Sequence, residues 1–247
     1  MDNKLINILG IDFFNGQVKE VVDILKNGGL LVVPSGPGLA SIPSDITYYR
    51  SLKAADVVIA DSGYMTLLWN STHSMKVNRI SGLEFLNAFL ADDEIKNEHD
   101  FFLVNPREEE AEVNLTYLNK KGYQVSPENS YIAPIYGKGK IEDEDLLKKL
   151  EEKKPKYIII NLGGGVQEVL GAYLKKNLSY KPAIICTGAA IAFLTGEQAH
   201  IPSWADKLFL GWLIRCIEKP KQFVPRYLNA FKLMTVMLQF NPKAQLN

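Results

Sequence analysis

Short apolar runs alternate with amphipathic helical patterns along most of this chain, and this alternation constrains its fold more than any other feature. Runs such as "LLVV" (30–33) and "AIICTG" (183–188) are typical of buried strands. Between such runs, apolar residues recur at helical spacing, as at Val18, Val21 and Leu25. The rhythm predicts an α/β fold, with a Rossmann-like parallel sheet and helices on both faces.

The composition changes near residue 200. Of the 247 residues, 47% are hydrophobic, which is enough for a sizeable α/β core. Beyond residue 200, Trp, Arg and Lys are mixed with apolar residues. We therefore predict an α/β catalytic domain over residues 1–200 and a helical C-terminal appendage over residues 201–247.

Charge and cysteine content exclude several classes of protein. The formal net charge is +0, from 28 basic and 28 acidic residues, which argues against nucleic acid as a bulk partner. The two cysteines, Cys186 and Cys216, lie in apolar contexts, as expected for reduced buried thiols in a cytoplasm. The first residues lack the pattern of a signal peptide, and no run reaches the roughly 18 apolar residues of a spanning helix.

Ligands of open parallel sheets bind beyond the carboxyl ends of the strands. One such position holds "NLGGGVQE" (161–168), directly after an apolar run. Gly163, Gly164 and Gly165 would let backbone amides approach a ligand, and the helix start that follows favours phosphate. The alternative is an ordinary strand-to-helix turn. The chain has neither GxGxxG nor a Walker sequence at this point, which counts against a nucleotide-dependent oxidoreductase.

Two charged residues also follow predicted strands or loops at this edge. Asp61 directly follows the predicted strand 56–60, where a carboxylate could act as a general base or could cap the helix beginning near Tyr64. Arg79, in "NRISG", could hold a diphosphate by its planar fork or could be a surface charge. The three histidines are scattered, and no Asp-x-Asp follows a strand, so the pattern indicates no metal site.

Four segments, taken in order, are more specific than any single motif. They are "ADVVIADSGYMTLLW", "RISGLEFL", "KPKYIIINLGGGVQEVLGAYLKKNL" and "TGAAIAFLTGEQAHIPSWADKLFLGWLIRCIEKPKQFVPRYL". Together they resemble the WecG/TagA/CpsF glycosyltransferases (glycosyltransferase family 26), from about residue 8 to residue 228. The last segment is the most diagnostic, because Gly-x-x-Trp-x-x-Arg, Glu-x-Pro and Arg-Tyr recur there at similar spacing.

The resemblance implies a GT-E-like fold and a definite reaction. The family transfers a sugar from a UDP-sugar to a polyprenyl-diphosphate-linked acceptor, in the synthesis of cell-surface polysaccharides such as teichoic acids and capsules. Its members invert the anomeric centre and use no metal or other cofactor. The implied donor sugar is N-acetylmannosamine, its uronic acid or glucose. The resemblance leaves the oligomeric state open, including a homo-oligomer.

The resemblance also assigns roles to residues of this chain. Asp61 would be the base that deprotonates the acceptor hydroxyl. Arg79 and amides of the glycine loop would offset charge on the UDP diphosphate, and Gln167 and Glu168 would contact the donor at the mouth of the cleft. The remaining implied site residues are Ser35 as a catalytic residue and Gly82, Tyr136, Gly188, Arg215 and Arg226 in substrate binding.

Several positions depart from the family pattern. The early Thr-x-Asn is replaced by Pro34-Ser35-Gly36-Pro37, so that Ser35 stands at the threonine position and the asparagine is lost. The Pro-Lys of the glycine loop is Gly165-Val166, and an aspartate common in the "TGAAIAFLTG" region is Ala192. These departures motivate an alternative, a catalytically inactive nucleotide-sugar-binding scaffold of a polysaccharide assembly complex.

A lipid-linked acceptor requires contact with a membrane. Residues 205–240 carry six Lys and Arg residues among Phe, Leu, Trp and Met, a pattern typical of helices that lie in the headgroup layer. The resemblance implies that Arg215 and Arg226 complete the site over the donor diphosphate. We predict a cytoplasmic protein bound peripherally to the inner face of the cell membrane; the alternative is a C-terminal helix that only packs on the core.

Overall fold

The computed structural model describes residues 4–137, 139–198, 211–218 and 220–240. Its strands are β1 (Leu5–Ile8), β2 (Ile11–Phe14), β3 (Gly29–Val32), β4 (Val57–Val58), β5 (Phe101–Asn105), β6 (Ser130–Ile132), β7 (Tyr157–Ile160) and β8 (Ala183–Cys186). Its α-helices are α1 (Val18–Leu25), α2 (Gly36–Ser41), α3 (Ile46–Ala54), α4 (Gly63–Thr72), α5 (Gly82–Ala91), α6 (Asp93–Glu98), α7 (Glu108–Lys120), α8 (Glu144–Lys153), α9 (Val166–Asn177), α10 (Ala190–Thr195), α11 (Gly211–Glu218), α12 (Pro220–Ala230) and α13 (Lys232–Gln239). Two short 3₁₀ helices cover Ile42–Ser44 and Pro127–Asn129.

Six strands form one parallel sheet in the order β4-β3-β8-β7-β5-β6. Helices cover both faces, so the predicted α/β class with a Rossmann-like parallel sheet is confirmed. The hairpin of β1 and β2 is a separate antiparallel pair, and Phe14 forms a parallel bridge with Ile59 beyond β4. Periodicity did not predict this hairpin, because Asn7 and Asp12 interrupt the apolar residues of its two strands.

The central strands are buried along their whole length, which explains their continuous apolar sequences. Alternate side chains enter two separate cores. Ile158 and Ile160 pack with the hydrophobic cluster that includes residues of α3, α8 and α9. Tyr157 and Ile159 pack with the cluster that includes residues of α1, α5, α7 and α10.

The register brings the carboxyl ends of neighbouring strands to one level. Val104 of β5 pairs with Ile160 of β7, and Cys186 of β8 pairs with Val32 of β3. Because all six strands are parallel, the loops that follow them emerge at the same edge of the sheet. The predicted ligand loops after β3, β4, β7 and β8 therefore share that edge.

The C-terminal helices pack on the α/β part of the chain. Leu233 of α13 is fully buried, and the Phe231 ring lies edge-on to Tyr64 of α4 at a centroid distance of 5.6 Å. A Cβ atom placed on Gly36, at the start of α2, would lie 3.8 Å from Ala230 Cβ at the end of α12. The appendage therefore lies beside the helices that follow β3 and β4. In the described ranges, none of the helices combines the length and the apolar composition needed to cross a membrane.

Candidate functional site

Asp61 follows β4 at the carboxyl edge of the sheet, with its side chain 34% exposed. Its Oδ1 accepts a hydrogen bond from the N–H of Gly82, the first residue of α5, at 3.1 Å. The other oxygen, Oδ2, receives no hydrogen bond from the part of the chain that the structure describes. Oδ1 is thus held in place while Oδ2 has no donor among the described residues, an arrangement compatible with a general base.

Capping of α4 does not explain Asp61. The N-cap residue of that helix is Ser62, whose Oγ accepts from the Met65 N–H at 3.2 Å. The alternative role considered for Asp61 from the sequence, a helix cap, is therefore wrong. The serine performs that function one residue later, and the carboxylate is left for another role.

Arg79 is held against Asp61. Its Nε donates to the Asp61 backbone oxygen at 2.7 Å, and its Nη2 lies 3.9 Å from Asp61 Oδ1. The Arg79 side chain is only 17% exposed, so its interpretation as a free surface charge is wrong. The structure thus brings together the predicted base and the predicted diphosphate-binding cation.

Gly82 permits this arrangement by its lack of a side chain. A Cβ atom at Gly82 would lie 3.3 Å from Val33 Cγ1 and 3.7 Å from the Thr187 backbone oxygen. The start of α5 can therefore approach the ends of both β3 and β8 while its first N–H reaches Asp61. Gly82 belongs to the candidate site as a backbone donor.

The glycine loop after β7 is open to solvent. Gly163 and Gly164 are exposed, and a Cβ atom on Gly163 or Gly165 would meet no atom within 4 Å. The Gly165 N–H, however, donates to Glu168 Oε2 at 2.6 Å, so it is not free as the sequence led us to expect. Gly163 and Gly164 donate no backbone hydrogen bond to the residues that the structure describes.

Gln167 and Glu168 are buried, with 3% and 1% exposure. Gln167 Oε1 accepts from the Gly188 N–H at 2.7 Å, and its Nε2 donates to Glu168 Oε1 at 3.2 Å. The expectation that these side chains lie exposed at the mouth of the cleft is corrected by this burial. Their contacts instead tie the loop after β7 to the loop after β8, which fixes the position of Gly188.

Replacing Glu168 with alanine should lower the free energy of unfolding by about 2 kcal/mol, because the Gly165 N–H and the Gln167 amide would lose their acceptor. Urea unfolding followed by circular dichroism measures the change. Glu112, an exposed residue of α7, provides the matched control in Glu112→Ala. Equal unfolding midpoints for the two variants would contradict the role of Glu168 in holding the loop.

A row of polar side chains ends the central strands on the same edge. Asn105 Oδ1 accepts from Asn161 Nδ2 at 2.9 Å and from Asn114 Nδ2 at 2.8 Å, and Asn105 Nδ2 donates to Ser130 Oγ at 3.0 Å. Thr187, after β8, is also buried. Asn105, Asn161 and Thr187 end or directly follow strands, but no sequence pattern indicated that they would form a buried row.

Ser35 and Tyr136 take structural positions at this edge. Ser35 is the N-cap of α2, and its Oγ accepts from the Gly38 N–H at 3.4 Å. The Tyr136 hydroxyl donates to Asp143 Oδ2, and burial together with this contact raises the pKa of Tyr136, which keeps the phenol protonated. Tyr136 follows β6, the edge strand opposite β4, so the sheet order separates it from Asp61.

The two appendage arginines lie on consecutive C-terminal helices. Arg215 belongs to α11 and Arg226 to α12, but their side chains are outside the described residues. The end of α12 is next to Gly36, whose hypothetical Cβ atom would also be 2.9 Å from Ser62 Oγ. The backbone thus brings this helix close to the segment that carries Asp61.

The two cysteines are buried to different extents. Cys186 is buried, its pKa is raised by burial, and its Sγ donates to the Gln167 backbone oxygen at 3.3 Å; Cys216 is partly buried. Among the described residues, no three His, Cys, Asp or Glu side chains are grouped so that they could hold one metal ion.

Comparison with known proteins matches almost the whole chain. The sequence model described as the "Glycosyl transferase WecG/TagA/CpsF family" matches residues 6–245. An N-acetylglucosaminyldiphosphoundecaprenol N-acetyl-beta-D-mannosaminyltransferase of Staphylococcus aureus (strain MRSA252) is 24% identical over 223 residues, which cover 86% of this chain and 84% of that protein. The protein of the same name from strain NCTC 8325 / PS 47 is 23% identical over 223 residues, with the same shares covered. This chain belongs to the WecG/TagA/CpsF family of glycosyltransferases.

Proposed function

We propose that this chain is an inverting, metal-independent glycosyltransferase that moves a sugar from a UDP-sugar to a polyprenyl-diphosphate-linked saccharide. The sugar would be N-acetylmannosamine, its uronic acid or glucose. The name of the staphylococcal relatives supports an N-acetylmannosaminyl group and an undecaprenyl-diphosphate acceptor that carries N-acetylglucosamine. The product would serve the synthesis of a bacterial cell-surface polysaccharide.

The observation that carries this proposal is the Asp61 carboxylate, of which Oδ1 accepts a hydrogen bond from the Gly82 N–H. The free oxygen, Oδ2, would take the proton from the acceptor hydroxyl as that oxygen attacks C1 of the donor sugar. The new C1–O bond forms as the bond from C1 to the diphosphate oxygen breaks, and UDP leaves with the electron pair. Attack from the side opposite the leaving group inverts C1, and the proton remains on Asp61.

Negative charge that develops on the UDP diphosphate needs cations or N–H donors around it. Arg79 lies 3.9 Å from Asp61 Oδ1 and has a guanidinium fork suited to a diphosphate. Gly163 and Gly164 supply backbone amides in an exposed loop just before α9, whose N-terminal dipole favours an anion. We propose that donor phosphates lie between Arg79 and this loop.

The C-terminal helices support the membrane part of the proposal. They expose a set of large apolar side chains: Leu213, Ile217, Val224, Leu228, Phe231, Met234 and Leu238. Exposed Lys221 and Lys232 lie among them. Each basic residue near an anionic surface contributes about 1 kcal/mol, and apolar side chains add burial in the headgroup layer. We propose that these helices dock the protein on the cytoplasmic membrane surface, near its lipid-linked acceptor.

The double variant Ile217→Ser, Leu238→Ser should bind vesicles containing phosphatidylglycerol at least about tenfold more weakly. These side chains are 72% and 75% exposed, so their apolar surface is available to the membrane and is lost in the variant. Vesicle co-sedimentation measures the change. Leu5→Ser, in the hairpin, removes a 43% exposed leucine away from these helices and should leave binding unchanged. Equal loss in both variants, or no loss in either, would contradict this docking surface.

The reaction itself is tested by a donor screen. The purified protein, in detergent with EDTA, is mixed with a short-chain polyprenyl-diphosphate N-acetylglucosamine and with each UDP-sugar in turn, and UDP release is measured. We expect release that requires the lipid acceptor. Stabilisation by UDP in a thermal-shift assay without release from any donor would instead favour the inactive scaffold suggested by Ala192 and the altered residues 34–37.

A further inference from the structure

Two buried polar atoms at the carboxyl edge have no partner within the described part of the chain. They are Asn161 Oδ1 and Thr187 Oγ1, in residues that are each 7% exposed. A buried polar atom that lacks a hydrogen bond destabilises the folded protein. Two such atoms at one edge of the sheet indicate that another molecule supplies their hydrogen bonds.

The two atoms belong to neighbouring strands at the same level. Ile159 of β7 pairs with Ile185 of β8, so the register continued by two residues places Asn161 opposite Thr187. A Cβ atom placed on Gly188 would lie 3.4 Å from the Leu162 backbone oxygen, which shows that the two segments still run side by side one residue further on. Side chains at one register position of parallel strands point to the same face, so these two side chains are adjacent.

The pair lies between the two parts of the candidate site. The backbone oxygen of Thr187 is 3.7 Å from a Cβ atom placed on Gly82, whose N–H binds Asp61. On the other side, Asn161 is separated from the glycine loop by one residue. The neighbouring positions Gly163 and Gly188 carry no side chain that would block a ligand.

The hydrogen bonds of Asn161 determine what it can bind. Its Nδ2 donates to Asn105 Oδ1 at 2.9 Å, which leaves Oδ1 as an acceptor in need of a donor. An unpaired acceptor repels phosphate oxygens and attracts an O–H or N–H group. The Thr187 hydroxyl can donate to or accept from the same ligand.

We propose that Asn161 and Thr187 form a polar subsite that binds a neutral O–H or N–H group of the nucleotide-sugar and so contributes to the choice of donor. This inference rests on the proposed function. The group is a hydroxyl or acetamido N–H of the donor sugar, or a ribose hydroxyl or the imide N–H of the uridine. Each of these donors presents the same chemistry to Asn161 Oδ1.

Thr187→Val tests the subsite because it removes the hydroxyl, keeps the shape and breaks no hydrogen bond within the described protein. By calorimetry, we expect its Kd for UDP-N-acetylmannosamine to rise about tenfold, and Thr187→Ser to restore binding. Asn161→Leu should show a similar rise in Kd, because it removes the acceptor Oδ1. The neighbouring Asn105 Oδ1 keeps its hydrogen bond from Asn114 in this variant. Thermal unfolding of each variant checks that it is folded.

Titration with UDP alone shows which part of the nucleotide-sugar supplies the bound group. A rise for UDP-N-acetylmannosamine alone assigns the bound group to the donor sugar, and an equal rise for UDP assigns it to the uridine; either supports the subsite. Folded variants that bind both ligands as the wild-type protein does would overturn it and leave the proposed function intact. A wild-type protein that binds neither UDP nor any UDP-sugar would overturn both.

Discussion

Asp61→Asn is expected to lower kcat for sugar transfer by about 10²–10⁴-fold and to leave the Kd for UDP nearly unchanged. Asparagine keeps the shape of the side chain and can still accept the Gly82 N–H through its amide oxygen. It cannot take a proton from the acceptor hydroxyl. The effect should therefore fall on the chemical step, measured as UDP release at saturating donor and acceptor.

The matched control for this substitution is Asp12→Asn. Asp12 is an exposed residue of β2 that accepts from Asn7 Nδ2 at 2.6 Å, in the hairpin and away from the carboxyl edge. Its replacement removes one negative charge from the protein and should leave kcat unchanged. Full activity of Asp61→Asn would show that another group removes the proton, and an equal loss in both variants would point to a nonspecific charge effect.

Arg79→Lys is expected to lower kcat/KM by about 10²–10³-fold, the range found when one donor to a developing oxyanion is removed. Lysine keeps the positive charge but lacks the planar fork, so it cannot bind the Asp61 backbone oxygen through Nε and present Nη2 beside the carboxylate at the same time. Unlike Asp61→Asn, this variant should also weaken UDP binding.

Steady-state kinetics and calorimetry with UDP measure the effect of Arg79→Lys. Arg50→Lys, an exposed position on α3, makes the same chemical change away from Asp61 and should leave both quantities unchanged. A thermal unfolding curve separates lost folding from lost binding. Wild-type kcat/KM and UDP affinity in a folded Arg79→Lys protein would contradict a role for the guanidinium at the diphosphate.

The sheet could be predicted from the sequence because its central strands are buried on both faces and so have unbroken apolar runs. The same logic placed the loops after β4 and β7 at one edge. The hairpin of β1 and β2 and the short strand β6 contain polar residues among the apolar ones and so form no unbroken apolar run. Strand β4 itself spans only Val57–Val58, which is shorter than the predicted strand 56–60, although the Ile59 N–H still donates to the Val32 backbone oxygen.

The burial of the site's side chains and their hydrogen-bond partners could not be predicted from the sequence. The spacing of Gln167 and Glu168 places them at the start of α9. It does not reveal that the Gly188 N–H donates to the Gln167 side chain and the Gly165 N–H to the Glu168 side chain. For Asp61 the sequence left two roles open; the capping bond from Met65 to Ser62 removes the helix cap, and the role of general base stays a prediction. The unpartnered atoms of Asn161 and Thr187 depend on three-dimensional neighbours that no motif encodes.

Amide hydrogen exchange of the full chain, with and without UDP and read by mass spectrometry, tests most directly whether Asp61 and the glycine loop border one nucleotide cleft. The described geometry predicts slower exchange on UDP binding in two separate peptides, one covering residues 79–84 and one covering residues 161–168. Slower exchange confined to residues 28–30 and 178–183, at the opposite edge of the sheet, with both predicted peptides unchanged, would contradict the account.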